Sequence, residues 1–235
     1  MSTSSEATIR SSQVDWQALA NLSLGAGESV ASNCGEQVAW IVSAGEDMSL
    51  CSALRELFPR SGVWPVWVEG VEGLREPWLV GDLDGLRGEP LEAEMILRHL
   101  QGQDDVGLAD PLSQNAPVPW ADERLTEHLL LTPVSRPADV PWAIGWRGAL
   151  TMGLDGTRIT SLLRSWEDRY GAYLINLGPF WLTLQLTRSF AEFSDFERLA
   201  SEHVAVCPDL LQAGPLEDFT WIHLPETDQW SFWWL

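Results

Sequence analysis

A chain of 235 residues with 45% hydrophobic and 20% charged side chains has the composition of a folded globular protein. This excludes a mainly disordered chain or a coiled coil, and no stretch reaches the ~18 uninterrupted apolar residues of a membrane helix. Fourteen basic residues, all arginine, against 34 acidic ones give a net charge of −20, a field that repels phosphate backbones, argues against nucleic-acid binding and favours a basic partner.

The opening MSTSSEATIRSSQ has neither the basic start nor the apolar core of a secretory signal, so a cytoplasmic protein with a frayed tail over residues 1–15 is expected. Gln37–Ala44 is apolar and β-branched and reads as a buried strand. Asp47 is placed to cap a helix through DMSLCSALRELF, with Leu50, Leu54, Leu57 and Phe58 on one face and Pro59 and Gly62 as its stop. Val63–Glu69 returns to β character, and Pro65 within it points to a sheet edge or a strand start. This β-α-β run predicts a parallel pair with a right-handed crossover. A further helix is expected over Pro90–Leu100, burying Leu91, Met95 and Leu97. From Gln101 to Trp142 the pattern gives way to Pro, Asp and Gly, a connecting region with a short helix at Asp122–Leu130. A boundary near residue 135 would separate an α/β domain over 16–135 from an α+β domain over 136–235.

In the second half, Trp142–Thr151 reads as a strand. Thr157–Tyr170 places Ile159, Leu162, Leu163 and Trp166 at helical spacing before Gly171. Ala172–Leu177 and Trp181–Thr187 form a hairpin about Gly178-Pro179, Ser194–Val206 is a helix stopped by Pro208, and Gln229–Leu235 is a last strand. The order β-α-β-β-α-β is that of a ferredoxin-like sandwich.

The motifs SWEDRYGA (Ser165–Ala172), AxEHxAxCPD (Ala200–Asp209) and WSFWW (Trp230–Trp234), in this order, resemble the bacterial domain-of-unknown-function family 4253. GVWPVWVEG (Gly62–Gly70) and REPW (Arg75–Trp78) resemble the amino-terminal half of longer, actinobacterial members. Leu235 stands where members commonly carry an acid. The resemblance implies kinship and no activity.

Three cysteines without a CxxC pair, Cys34, Cys51 and Cys207, fit a reducing compartment and no zinc site. Gly81–Gly85 resembles part of a calcium loop but lacks a matching acid at position twelve. With no P-loop, GxGxxG or HExxH, no metal and no cofactor are expected. His203 and Cys207 lie four apart on one helix with Asp209 beyond, the composition of a thiol nucleophile. A helix carboxy terminus raises a thiol pKa, however, so a structural role is the stronger reading. Glu167 and Asp168 could do acid–base work, yet neighbours on a helix point about 100° apart, which favours a solvated salt-bridge face with Trp166 turned inward.

Fourteen tryptophans are the other anomaly. On the last strand Trp230, Phe232 and Trp234 share one face and Trp233 takes the other, so Trp166, Trp230, Trp233 and Trp234 are candidate partner contacts wherever such a face meets solvent. The expected function is a non-enzymatic acidic module binding a basic protein, an antitoxin or immunity-type inhibitor being one version. The alternatives are an enzyme with a cleft site around His203, Cys207 and Asp209, and a structural subunit forming a homodimer through its Trp-rich strand.

Overall fold

The structure is a computed structural model and describes residues 15–20, 22, 24, 27–31, 37–45, 48–68, 91–102, 128–188 and 195–234. The expectations for the tail before Asp15, the Asp47 cap, Pro90, the calcium-like loop and 122–127 lie outside these residues. The fold is mixed α/β. In chain order the main elements are α1 (Trp16–Leu19), β1 (Gly27–Ala31), β2 (Gln37–Ser43), α2 (Met48–Ser61), β3 (Val63–Val68), α3 (Ala93–Gln101) and β4 (His128–Pro133). They continue with α4 (Val140–Ile144), α5 (Gly156–Tyr170), β5 (Ala172–Leu177), β6 (Trp181–Leu186), α6 (Phe196–Val206) and β7 (Gln229–Trp233). No helix among the described residues is long and apolar enough to cross a membrane.

Among the described residues seven strands form one sheet, in the order β1-β2-β4-β3-β5-β6-β7. The pair β3–β5 is parallel and the other neighbours are antiparallel. Alternation along the strands separates two apolar clusters. Cys51 and Leu54 of α2 meet Val42, Trp67, Leu129 and Leu131 on one side. Buried residues of α3, α5 and α6 gather with Ile41, Val66, Leu130, Leu174, Leu184 and Phe232 in the other cluster.

This order corrects several expectations. The predicted direct β2–β3 pair is absent because β4 lies between them, antiparallel to both, so the two run parallel without touching as neighbours. His128–Leu130, expected at the end of a helix, belong to β4. Strand β3 of the first half pairs with β5 of the second, so the sheet runs unbroken across residue 135. A ferredoxin-like sheet sets the first and last strands of its motif side by side; here β7 pairs with β6, and β4 with β2 and β3. Trp142–Thr151 is not a strand: α4 occupies Val140–Ile144, with Pro141 in its first turn and Gly145 ending it at φ 69°, and a 3₁₀ turn covers Leu150–Met152.

Smaller differences have local causes. Asp15, expected in the frayed tail, caps α1 by accepting hydrogen bonds from the Gln17 and Ala18 amides. Helix α2 runs through Pro59 to Ser61. Pro65 sits inside a central strand, which is tolerated because the ladder to β5 comprises Trp67 and Val68 only. Beside that gap the Trp64 indole N–H donates to the Leu174 carbonyl at 2.8 Å. In α3 the buried face is Ile96, Leu97 and Leu100, leaving Leu91 and Met95 exposed. Helix α5 follows its predicted pattern, with Ile159, Leu162, Leu163 and Trp166 buried. Gly171 closes it at φ 65°, where a Cβ would run into the Thr187 hydroxyl.

Candidate functional site

The three carboxy-terminal motifs converge. Helical spacing sends Trp166, Arg169 and Tyr170 toward α6 and β7, because residues three and four apart share a face. From α6, Glu202 and His203 enter the same region; from β7, Trp230 and Phe232 do so. Glu202 keeps 2% of its side-chain surface, and its carboxylate accepts four hydrogen bonds. Arg169 Nη1 donates to both of its oxygens at 2.9 and 2.7 Å, the Trp166 indole at 3.0 Å and Arg198 Nε at 2.9 Å. Arg169 Nη2 also donates to Asp195 at 2.9 Å and to the Tyr170 hydroxyl, while the Tyr170 hydroxyl donates to Asp195 at 2.9 Å.

These contacts set the charges. Burial works to raise the Asp195 pKa, but hydrogen bonds from Arg169 and Tyr170 outweigh it and hold the carboxyl below its usual range. Burial, reinforced by the hydrogen bond to Asp195, keeps Tyr170 protonated far above the ordinary phenol range. Arg169, although burial opposes its charge, is held above its normal value by Glu202 and Asp195.

His203 is enclosed by aromatic rings: Trp230 at 4.5 Å, Phe232 at 4.9 Å, Trp166 at 5.0 Å and Phe219 at 6.0 Å between centroids. Burial, with the Arg169 charge adding to it, pushes its pKa down to about 3. Cys207 follows the end of α6 and its thiol donates to the Trp233 carbonyl at 3.1 Å. Burial pushes that thiol up to about 12. A thiol so placed has almost no thiolate at neutral pH, and a neutral imidazole packed on rings is poorly placed to draw its proton. Asp209 sits two residues beyond Cys207 in the 3₁₀ turn Pro208–Ala213, where its charge adds to burial in raising the thiol pKa.

Glu167 and Asp168 point away from this region. Arg136 donates to Glu167 at 3.2 Å and to Asp168 at 2.6 Å, and Glu167 also accepts from the Ala138 amide at 3.1 Å. One turn earlier Arg164 holds Asp139 at 2.6 Å. Burial raises the Glu167 pKa, with Arg136 opposing. The two neighbouring carboxylates thus share one arginine. Among the described residues no three His, Cys, Asp or Glu side chains gather as a metal-binding group.

Three of the four tryptophans expected at a partner face are core residues. Trp166, Trp230 and Trp234 are buried, because the inward face of β7 packs under α5 and α6: Trp166 stacks on Phe232 at 5.1 Å, and the Trp234 indole donates to Val206 at 2.8 Å. Trp233, on the other face, is half-buried.

Two aromatics among the described residues are clearly exposed, Phe180 before β6 and a tryptophan the sequence reading passed over. Between Leu216–Asp218 and Leu224–Glu226 the chain forms a π-helical turn, Phe219–His223. The wider turn shifts the phase of the helix, so that Thr220 and Leu224 face inward while Trp221 is 53% and Ile222 48% exposed. Trp221 rests edge-on against Phe196 at 5.9 Å. Glu217, Glu226 and Asp228 in the flanking chain are exposed, and no arginine follows Arg198.

Neither a curated protein nor a solved structure matches the chain. Residues 128–234, from β4 to the end of the described chain, match the family described as "Domain of unknown function (DUF4253)". That span, a little under half of the 235 residues, holds all three convergent motifs, and over it the chain is similar to that family.

Proposed function

We propose that this protein is an acidic, non-enzymatic binding module whose contact surface is the π-turn segment 216–226 and whose partner is a basic protein. The observation that carries this reading is the exposure of Trp221 and Ile222 amid carboxylates. An aromatic anchor within a charged rim is the usual anatomy of an interaction hot spot. The net charge of −20 would steer a cationic macromolecule to it and discourage an acidic one. The state of His203 and Cys207 supports the same reading, since the residues that would make a thiol nucleophile are held in their uncharged forms. An immunity-type inhibitor of a cationic protein is one concrete version, in a cytoplasmic setting.

A photo-crosslinking residue at position 222 tests this. The captured protein is then purified and titrated against the intact chain and against Trp221→Ala and Ile222→Glu variants. A basic partner is expected, with affinity that falls as salt rises and drops 30-fold or more in Trp221→Ala, the scale of a hot-spot truncation. Unfolding stability of Trp221→Ala should stay within about 0.5 kcal/mol of the parent, as for an exposed position. A neutral or acidic partner, cross-linking only to a second copy of the chain, or equal binding by both variants overturns the proposal.

A further inference from the structure

Arginine is this protein's only cationic side chain besides histidine, and most described arginines have an acceptor. Arg98, Arg136, Arg164, Arg169 and Arg198 each hold a carboxylate, and Arg158 and Arg188 donate to backbone carbonyls. Arg55 on α2 differs. Its Nε and Nη2 are inaccessible to water and have no hydrogen-bond partner among the described residues. These two N–H groups point the same way within the guanidinium plane and form the fork that matches two oxygens of one carboxylate or phosphate. Arg147 also has a buried unpartnered Nε, but only that single atom, which makes no fork.

The surroundings hold the guanidinium in place without satisfying it. Its carbon lies 5.7 Å from the Trp64 ring and 5.9 Å from the Tyr173 ring. Phe58, Trp64 and Tyr173 form a chain of edge-on contacts at 5.1 and 5.4 Å. Ring faces attract a cation but accept no N–H bond of the strength a carboxylate gives. Two guanidinium N–H groups kept from water without an acceptor are costly. The position adjoins the gap between β3 and β5, where Trp64 reaches across to Leu174. Arg55 as a whole is only half-buried, so rotation of its outer torsions can present the fork to an incoming anion.

We propose that Arg55, on its shelf of Phe58, Trp64 and Tyr173, is the binding site for a small oxyanion that offers two oxygens side by side, a carboxylate or a phosphate. This site lies on α2 and is independent of the segment 216–226.

The test is titration of the full chain with sodium phosphate and, separately, with sodium acetate, against sodium chloride at matched ionic strength. It is read by calorimetry and by the Arg55 Nε–H signal in NMR spectra. Saturable binding is expected with movement of that signal. Arg55→Lys, which keeps the charge but loses the fork, should weaken binding at least tenfold, whereas Arg60→Lys on the same helix should not. A response to phosphate alone assigns a phosphorylated ligand, to acetate alone a carboxylate, and to both the shared chemistry. Absence of binding by the parent chain, as when a carboxylate of the chain itself already fills the fork, overturns the proposal. So does equal binding by a folded Arg55→Lys variant.

Discussion

Helix α5 carries two arginine–carboxylate clusters that differ in position by a few residues and in physical role by much more. On the side facing α6, Arg169 meets Glu202, whose carboxylate is sealed from solvent and fully supplied with donors. On the side facing the turn before α4, Arg136 spans Glu167 and Asp168, and the Asp168 side chain stays 67% exposed. Water screens the second cluster; in the first it reaches Asp195 and Arg198 but not the Glu202 carboxylate. The same pairing is therefore a weak surface interaction in one place, and in the other an arrangement whose members cannot be removed singly without leaving a charge stranded.

The sharpest way to break this contrast is Glu202→Ala. It leaves the buried Trp166 indole without an acceptor and Arg169 with Asp195 as its one carboxylate partner, and a loss of about 3–5 kcal/mol is expected. Denaturant unfolding measures it, and adding Arg169→Met should restore part of the loss, because the two changes remove one shared interaction. A loss below 1 kcal/mol would show that the buried cluster is no different from the exposed one.

The acid limb of stability sharpens the comparison next. His203 stays neutral in the folded chain down to about pH 3, while in the unfolded chain it takes up a proton near pH 6.5. The unfolded state therefore binds more protons between these values, and stability falls as the pH drops from about 6.5 toward 3, by about 1.4 kcal/mol per unit once the unfolded imidazole is charged. Unfolding curves across this range should show that slope, and His203→Phe should remove its contribution.

The smallest effect is expected at the exposed cluster. Asp168→Asn should cost less than about 1 kcal/mol, and less still at high salt, measured by the same unfolding curves at two ionic strengths. A larger cost would mean that Arg136 ties α5 to the turn before α4 more firmly than solvent exposure allows.

The candidate site was only partly legible in the sequence. Turning Trp166 inward and Glu167 and Asp168 outward follows from α5's own periodicity, and the structure has both. Glu202 was passed over in favour of its neighbours His203 and Cys207, although a signal existed. It falls three residues after buried Leu199 and four before buried Val206, and a charge on the buried face of a helix announces a partner inside. Trp221 had no such signal, because a π-turn breaks the period by which an inward residue is told from an outward one. Trp230 and Trp234 were assigned to one face correctly, but whether that face is covered depends on α5 and α6, not on the strand.

Local pattern by itself determined helix α5 with its buried stripe, the β5–β6 hairpin, helix α6 and the two-faced last strand. Each of these follows from residues within a turn or two of one another, where spacing, a left-handed glycine or a proline decides the backbone. Tertiary structure alone decided that β4 slides between β2 and β3, that β3 binds the two halves into one sheet, that Glu202 is sealed and that Trp221 is not. Strand order and solvent exclusion are set by segments far apart in the chain, which compete for the same edges and faces, and no window of sequence contains that competition.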